Sequence, residues 1–303
     1  MKQDYPRNGI MNLCRLFGKS RHAYYDYQWR VQDQGLKDDI VLQNVLEIRK
    51  SLPGTGTLKL HEMLKVPLGS HKIKIGRDYL FDLMREHHLD IRRRKRKAFT
   101  TDSRHWMHKY NNLIKELAVT RPEQVWVSDI TYIRLINQWG YLSLITDAYS
   151  RKIMGYNFRK DLSAKGCVEA LEMALKARMY TNEPLIHHSD RGSQYCSGAY
   201  TSLLVENGIA ISMTENGDPY ENALAERVNG IIKNEFNLHF SAEGFAETTK
   251  KIERAIKAYN ELRLHASCDY LTPAKAHLVT GALPKRWKNK VYKTEGNSAC
   301  IAT

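Results

Sequence analysis

Between residues 124 and 159 the hydrophobic pattern gives three short β-rich runs in succession, QVWVSDITYIRL, WGYLSLITDAYS and KIMGYNFRK, with turns at 137–140 and near Ser150. Connections this short predict an antiparallel meander, because a parallel pairing needs a long crossover. Beyond it the pattern alternates. A helix is predicted at 163–179, with Val168, Leu171 and Leu175 on one side, followed by a strand, PLIHHSD, at 184–190. A helix at 198–207, a strand at 209–214 and a long helix at 221–236 complete the region.

Three strands, then helix, strand, helix, strand, helix is the order of a ribonuclease H-like α/β fold. Fold analogy alone establishes no function. The front of the chain has a different period. Residues 8–30 read as two short helices broken at Gly18, with Ser20 placed to cap the second, the outline of a helix-turn-helix. A second amphipathic stretch at 38–50 carries Ile40, Val41, Val45 and Ile48 and stops at Pro53, Gly54 and Gly56. Further helices are predicted at 58–65, before a loop with Pro67 and Gly69, and at 76–89, with Leu80, Leu83 and Met84 on one face.

Charge separates the two halves. The chain of 303 residues has a formal charge of +14, and residues 1–120 hold 24 basic against 13 acidic side chains. A surplus of that kind favours a polyanion, with nucleic acid the first candidate. The run Arg92, Arg93, Arg94, Lys95, Arg96, Lys97 reads either as a linker lying along DNA or as a solvated hinge. No stretch reaches the roughly 18 apolar residues of a membrane span and the N-terminus has no signal-peptide core, so a cytoplasmic protein is expected. The five cysteines show no disulfide or zinc spacing and read as reduced bystanders.

The candidate chemistry lies in three carboxylates. Asp129 falls within the first predicted strand and Asp190 at the C-terminal end of the fourth, where open α/β sheets place reactive groups. The following helix offers Glu221, Glu226 and Glu235. At roughly 100° per residue, Asn222, Glu226 and Lys233 share one stripe while Glu221 and Glu235 point away. That stripe combines a polar hand, a metal ligand and a cation for a phosphate. Three adjoining carboxylates repel one another unless compensated. Two divalent cations about 3.5 to 4 Å apart would compensate them and drive an in-line displacement at phosphorus. All-oxygen ligation suits Mg²⁺ or Mn²⁺. Each residue also has a plainer reading, as a turn, a cap or a solvated surface group. His188 alternates onto the face of Asp190, where it either assists or is a hydrogen-bonded structural histidine, and His187 faces the other way, into packing.

Five strings, WVSDITYI (126–133), YLSLITDAYSRKIMGY (141–156), HHSDRGSQY (187–195), ENALAERVNGIIKNE (221–235) and YNELRLHASCDYLTPAKAH (259–277), resemble the bacterial transposases of insertion sequence family three. The similarity is to their second-frame (OrfB) product, within the DDE transposase and retroviral integrase superfamily. Asp190 and Glu226 are separated by 35 residues, and Lys233 follows Glu226 by seven, as in that family. The resemblance implies that Asp129, Asp190 and Glu226 form the catalytic, metal-binding triad and that Lys233 contacts DNA. It implies cleavage at the ends of a mobile element, then attack of the freed 3′-hydroxyl on another phosphodiester. Partners implied are double-stranded DNA, further copies of the chain on that DNA (at least a dimer) and an upstream-frame product, on the bacterial nucleoid. Cys268 departs from the family's usual leucine, and GTLKL at 56–60 departs from its aromatic and basic pair.

The expected organisation is a helix-turn-helix segment at 1–37, a second helical DNA-binding module with its basic linker at 38–97, an integrase catalytic core at 120–240 and a C-terminal helical extension at 241–303. In the extension a helix to Leu264 precedes a turn at Thr272–Pro273 and a short helix from Ala274, ahead of a disordered tail, TEGNSACIAT. The extension packs on the core, touches DNA through Arg263 and His265, or joins a dimer. Two rivals to the transposase stand: a structure-selective nuclease of the same fold, which would cut without joining, and a DNA-binding regulator, which would ignore Mg²⁺.

Overall fold

The computed structural model describes residues 9–91, 106–215 and 222–284. The basic run at 92–97, Glu221 and the tail from 294 lie outside the described residues. The chain divides into two compact units, one comprising Met1–Ala98 and Glu235–Asn237, the other Phe99–Asn234 and Leu238–Thr303.

The first unit is helical: α1 (Ile10–Leu16), α2 (Arg21–Ser51), α3 (Thr57–Ser70) and α4 (Arg77–Glu86). Gly18 turns the chain at φ +61° between α1 and α2, and Ser20 caps α2 by accepting from the Ala23 N–H at 3.1 Å. Where the sequence predicts separate helices on either side of residue 37, α2 runs through for 31 residues. Only Gly35 interrupts the stretch, at a cost of about 1 kcal/mol. The Asp33–Lys37 ion pair and the Gln34–Asp38 hydrogen bond brace the same turns. α3 likewise outlasts its predicted end, carrying Pro67 into its final turn because Leu68 is buried in the unit's core. That core joins Val41 and Val45 to Leu60, Leu64, Leu68, Leu80, Leu83 and Met84.

The second unit is built on one sheet. Strands β1 (Val125–Leu135), β2 (Trp139–Asp147) and β3 (Ile153–Arg159) form the antiparallel meander. Helix α5 (Ala164–Lys176) returns the chain to β4 (Ile186–Ser189), which pairs parallel to β1, and α6 (Gly198–Glu206) to β5 (Ala210–Met213), parallel to β4. The strand order is β3-β2-β1-β4-β5, with the two-residue β6 (Phe240–Ser241) beside the far end of β1. Alternation along β1 splits the core. Trp126 packs with Leu171 and Tyr200 on one face, whereas Val125 and Val127 pack with Ala225 of α7 (Ala223–Glu235) on the other. This mixed sheet with helices on both faces, preceded by helical segments, is the ribonuclease H-like class expected from the sequence.

Gly155 shows how tightly β3 and α5 meet. A Cβ there would lie 2.0 Å from the Ala170 carbonyl oxygen and 2.8 Å from the Ala174 nitrogen, both backbone atoms that cannot swing aside. Gly155→Ala is expected to cost about 3 kcal/mol or more. Urea denaturation checks this, and wild-type stability would contradict the packing described.

Residues after β6 belong to the same unit and form a clasp. α8 (Phe245–Glu261) stacks Phe245 on Phe158 at 4.8 Å, and the Asn260 side chain hydrogen-bonds both N–H and C=O of Ile153 at 2.9 Å, as a neighbouring strand would. The Tyr259 hydroxyl donates to the Arg151 carbonyl. Arg263 is 3% exposed and its guanidinium lies 2.7 Å from His265 Nε2, so these two residues pack inside the unit and are not a DNA-facing pair. Thr272 caps α9 (Pro273–Ala276), which places Pro273 in its first turn. Cys14, Cys167, Cys196 and Cys268 are buried free thiols. Among the described residues no helix is long and apolar enough to cross a membrane.

Candidate active site

The parallel register of β1 and β4 sets Val127 beside His188. Two residues further along each chain, on the same face, stand Asp129 and Asp190. Asp129 is half-buried and both its oxygens are held: the Ile130 N–H donates to Oδ1 at 2.9 Å and the Asn229 side-chain amide to Oδ2 at 2.8 Å. Asp190 lies just past β4, and its Oδ1 accepts from the Gly192 N–H at 3.0 Å. A Cβ at Gly192 would sit 3.0 Å from that oxygen, so glycine lets the turn close on the carboxylate.

Burial raises the Asp129 pKa to about 7, and the charge of Asp190 adds to the effect. The hydrogen bonds from Asn229 and Ile130 work in the opposite direction, and the charge of Glu226 adds a smaller push upward. The charge of Asp190 thus acts on Asp129 more strongly than that of Glu226 does. Glu226 is exposed on α7, within electrostatic reach of Asp129. Among the described residues no three acidic, histidine or cysteine side chains converge closely enough to hold a metal ion as they stand. Lys233 shares the stripe with Glu226; burial lowers its pKa, while the charge of Asp129 raises it.

Two expected participants are placed differently. Asn222 is buried, and its amide donates to the Ser128 carbonyl at 3.0 Å, so it ties the start of α7 to β1 from inside the unit and is not a surface group. His188 is fully buried, its Nδ1 2.9 Å from the Ser212 hydroxyl on the adjacent strand, which fits the structural reading of that residue. His187 points to the other face among Tyr195 and Tyr200, and burial drives its pKa down to about 3. The basic residues 92–97, expected to contact DNA, lie outside the described residues.

Two family models, each described as an integrase core domain, match residues 119–219 and 207–273. The insertion element IS600 uncharacterized 31 kDa protein of Shigella sonnei is 33% identical over 264 residues, covering 86% of this chain and 96% of that protein. Identity to the transposase for insertion sequence element IS629 of Shigella sonnei is 34%, over 60% of this chain and 61% of the relative. The transposase InsF for insertion sequence IS3A of Escherichia coli (strain K12) is 32% identical over 54% of this chain, which spans 57% of that relative's length. The chain belongs to the IS3 family of insertion-sequence transposases.

The matched segments of this transposase take in both aspartates, Glu226 and the C-terminal clasp as far as Pro273. Sequence reasoning overlooked Asn229, although it lies three residues after Glu226 and seven after Asn222, and the same helical phase would have found it. It also overlooked a buried charge cluster. Glu123, Asp147 and His277 are all essentially without solvent exposure. His277 Nε2 lies 3.2 Å from Glu123, and its Nδ1 2.9 Å from the Ser150 hydroxyl, which donates to Asp147 at 2.7 Å. Glu123 also accepts from the Met179 and Tyr180 N–H groups. No local motif announces a contact between residues 154 positions apart.

Proposed function

We propose that this transposase cleaves phosphodiester bonds at the ends of its mobile element, in the presence of Mg²⁺ or Mn²⁺, and joins the freed 3′-hydroxyl to target DNA. Asp129, Asp190 and Glu226 are its catalytic carboxylates. The observation that carries this reading is the facing pair Asp129 and Asp190, whose repulsion and partial burial leave the site short of positive charge.

The donor set is all oxygen, which fits a hard divalent cation and disfavours zinc. Two such ions, when bound, supply activation of the attacking oxygen and stabilisation of the leaving one. Asp129 and Asp190 would hold them from the sheet and Glu226 from α7. Hydrogen bonds from Ile130 and Asn229 hold the Asp129 carboxylate in one orientation, so little reorganisation is left for the reaction. Lys233, on the same stripe, steadies the scissile phosphate. Water is the first nucleophile and the 3′-hydroxyl the second. In each displacement the new P–O bond forms as the bond to the leaving oxygen breaks.

The helical front end, 1–37 and 38–97, carries most of the positive charge and grips duplex DNA, together with the basic run at 92–97. Pairing two element ends calls for at least a dimer on DNA. An upstream-frame product is a further partner, and the site of action is the bacterial cytoplasm, at the nucleoid.

Labelled duplexes bearing the element ends test this directly. Cleaved strands and joined products are expected on a gel only with Mg²⁺ or Mn²⁺. Cleavage without joining would identify a nuclease, and Mg²⁺-indifferent binding without cleavage a regulator. Binding itself is expected to weaken with salt, log K falling by about 0.9 per neutralised phosphate.

A further inference from the structure

Helix α7 touches β1 through two asparagines. The Asn222 amide donates to the carbonyl of Ser128 and the Asn229 amide to the carboxylate of Asp129, consecutive residues of the strand. Seven residues, two helical turns, separate the donors, and Glu226 stands between them. Both side chains are more than nine-tenths buried, Asn222 at 6% exposure and Asn229 at 4%. Each leaves its Oδ1 buried without a hydrogen-bond partner. The neighbouring buried positions on α7 are Ala225, Val228 and Ile232, so packing alone is met by apolar residues there. A buried amide with half its capacity unmet costs stability, and such costs persist where a site requires them.

We propose that Asn229 is a positioning residue for Asp129, and that Asn222 and Asn229 together register α7 on β1 so that Glu226 is delivered to the two aspartates. The Ile130 N–H and the Asn229 amide take one oxygen each, and the carboxylate cannot rotate about χ2 without breaking both bonds. Asn229 thereby fixes the direction in which the remaining lone pairs of Asp129 point. Because it sits on the same helix as Glu226, the bond couples the third carboxylate to the first. The unmet Oδ1 of Asn229 is available to accept from a water in the completed site. This inference rests on Asp129 being a catalytic carboxylate.

The test uses the full chain and two readouts: Mn²⁺ binding followed by electron paramagnetic resonance, and single-turnover cleavage at saturating DNA. Asn229→Leu keeps the branched heavy-atom outline and removes the donor; Mn²⁺ half-saturation is expected to rise by roughly 10- to 100-fold, with a matching fall in kcat and an unchanged DNA Kd. Asn229→Gln keeps an amide and is expected to recover part of both losses, whereas Asn229→Asp, which adds a third negative charge against Asp129, is not. Should Asn229→Leu melt early, the Gln and Asp variants carry the comparison, since both remain polar and close in size. Wild-type Mn²⁺ affinity and cleavage in Asn229→Leu, or equal behaviour of the Gln and Asp variants, would overturn the proposal. Asp129→Asn separates the two levels. If it retains Mn²⁺ binding and cleavage, the reading of the site fails, whereas if it loses both while Asn229→Leu is unaffected, only the positioning role fails.

Discussion

Asp129→Asn is expected to abolish end cleavage and strand transfer while making the metal-free protein more stable above neutral pH. A carboxylate that would hold a catalytic metal ion is worth several kcal/mol in the transition state, so the expected loss of rate is roughly a thousandfold or more. The gain in stability follows from linkage. The Asp129 pKa, raised to about 7 by burial and by Asp190, lies above its ordinary value of 3.8. The folded state therefore holds a proton that the unfolded chain releases. The stability tied to that proton is fully present below about pH 4 and is lost as pH rises through 7. At pH 8 the folded protein carries an ionised Asp129 beside Asp190, at a cost on the order of 2 to 4 kcal/mol. Asparagine removes that cost. Its new N–H group can meet the unpartnered Oδ1 of Asn229 once that amide turns over. Urea denaturation in EDTA at pH 5 and pH 8 checks the sign: wild type should lose ground to the variant between the two. Lower stability of Asp129→Asn than of wild type at pH 8 would contradict the electrostatic account, and surviving Mg²⁺-dependent cleavage would contradict the catalytic one.

The second large effect is far from the reacting phosphate. His277→Ala leaves the carboxylates of Glu123 and Asp147 buried without their imidazolium, and breaking a buried ion pair from one side costs about 3 to 5 kcal/mol. Burial opposes charge on His277, but hydrogen bonds to Asp147 and Glu123 outweigh it and hold the pKa above its ordinary value. That contribution is complete below the unfolded value of 6.5 and is lost as pH rises through the folded one. Glu123 behaves in the opposite sense. Burial pushes its pKa up, yet the bonds from His277, Met179 and Tyr180 hold it below 4.5, so its contribution is complete above 4.5 and lost as pH falls further. The difference between wild type and His277→Ala should accordingly be widest between about pH 4.5 and 6.5 and narrower at pH 9. An unchanged difference across that range would rule out a charged His277. Because Asp147 ends β2, and Glu123 sits two residues before β1, collapse of this cluster loosens the strand that carries Asp129.

The strands were legible because short runs rich in β-branched and aromatic residues fall between turns, and once β1 and β4 pair, Asp129 and Asp190 stand together. The stripe on α7 was legible as far as Glu226 and Lys233. Helical phase says which residues share a side, however, and not which way that side faces. The stripe assigns Asn222 a polar hand, whereas its donor meets the backbone of β1, and the amide that meets Asp129 is that of Asn229. Continuity of α2 was hidden because a single glycine is a weak breaker when ion pairs span it. The clasp made by Asn260, Arg263, His265 and His277 depends on contacts more than a hundred residues apart in the chain, apart from the local Arg263–His265 pair. Composition and periodicity carry no trace of such pairings.

Helix α2 has one more consequence. From the cap at Ser20 to Leu42, among the residues packed by α3 and α4, it advances 22 residues, about 33 Å at 1.5 Å per residue, close to one pitch of duplex DNA. It is a rigid ruler with α1 at one end. Deleting a single residue from its exposed middle shortens the ruler by only about 1.5 Å but swings α1 through about 100°, whereas deleting seven removes about 10 Å and restores the phase to within about 20°. Any ligand that must be touched by both ends at once will therefore feel the angle far more than the length.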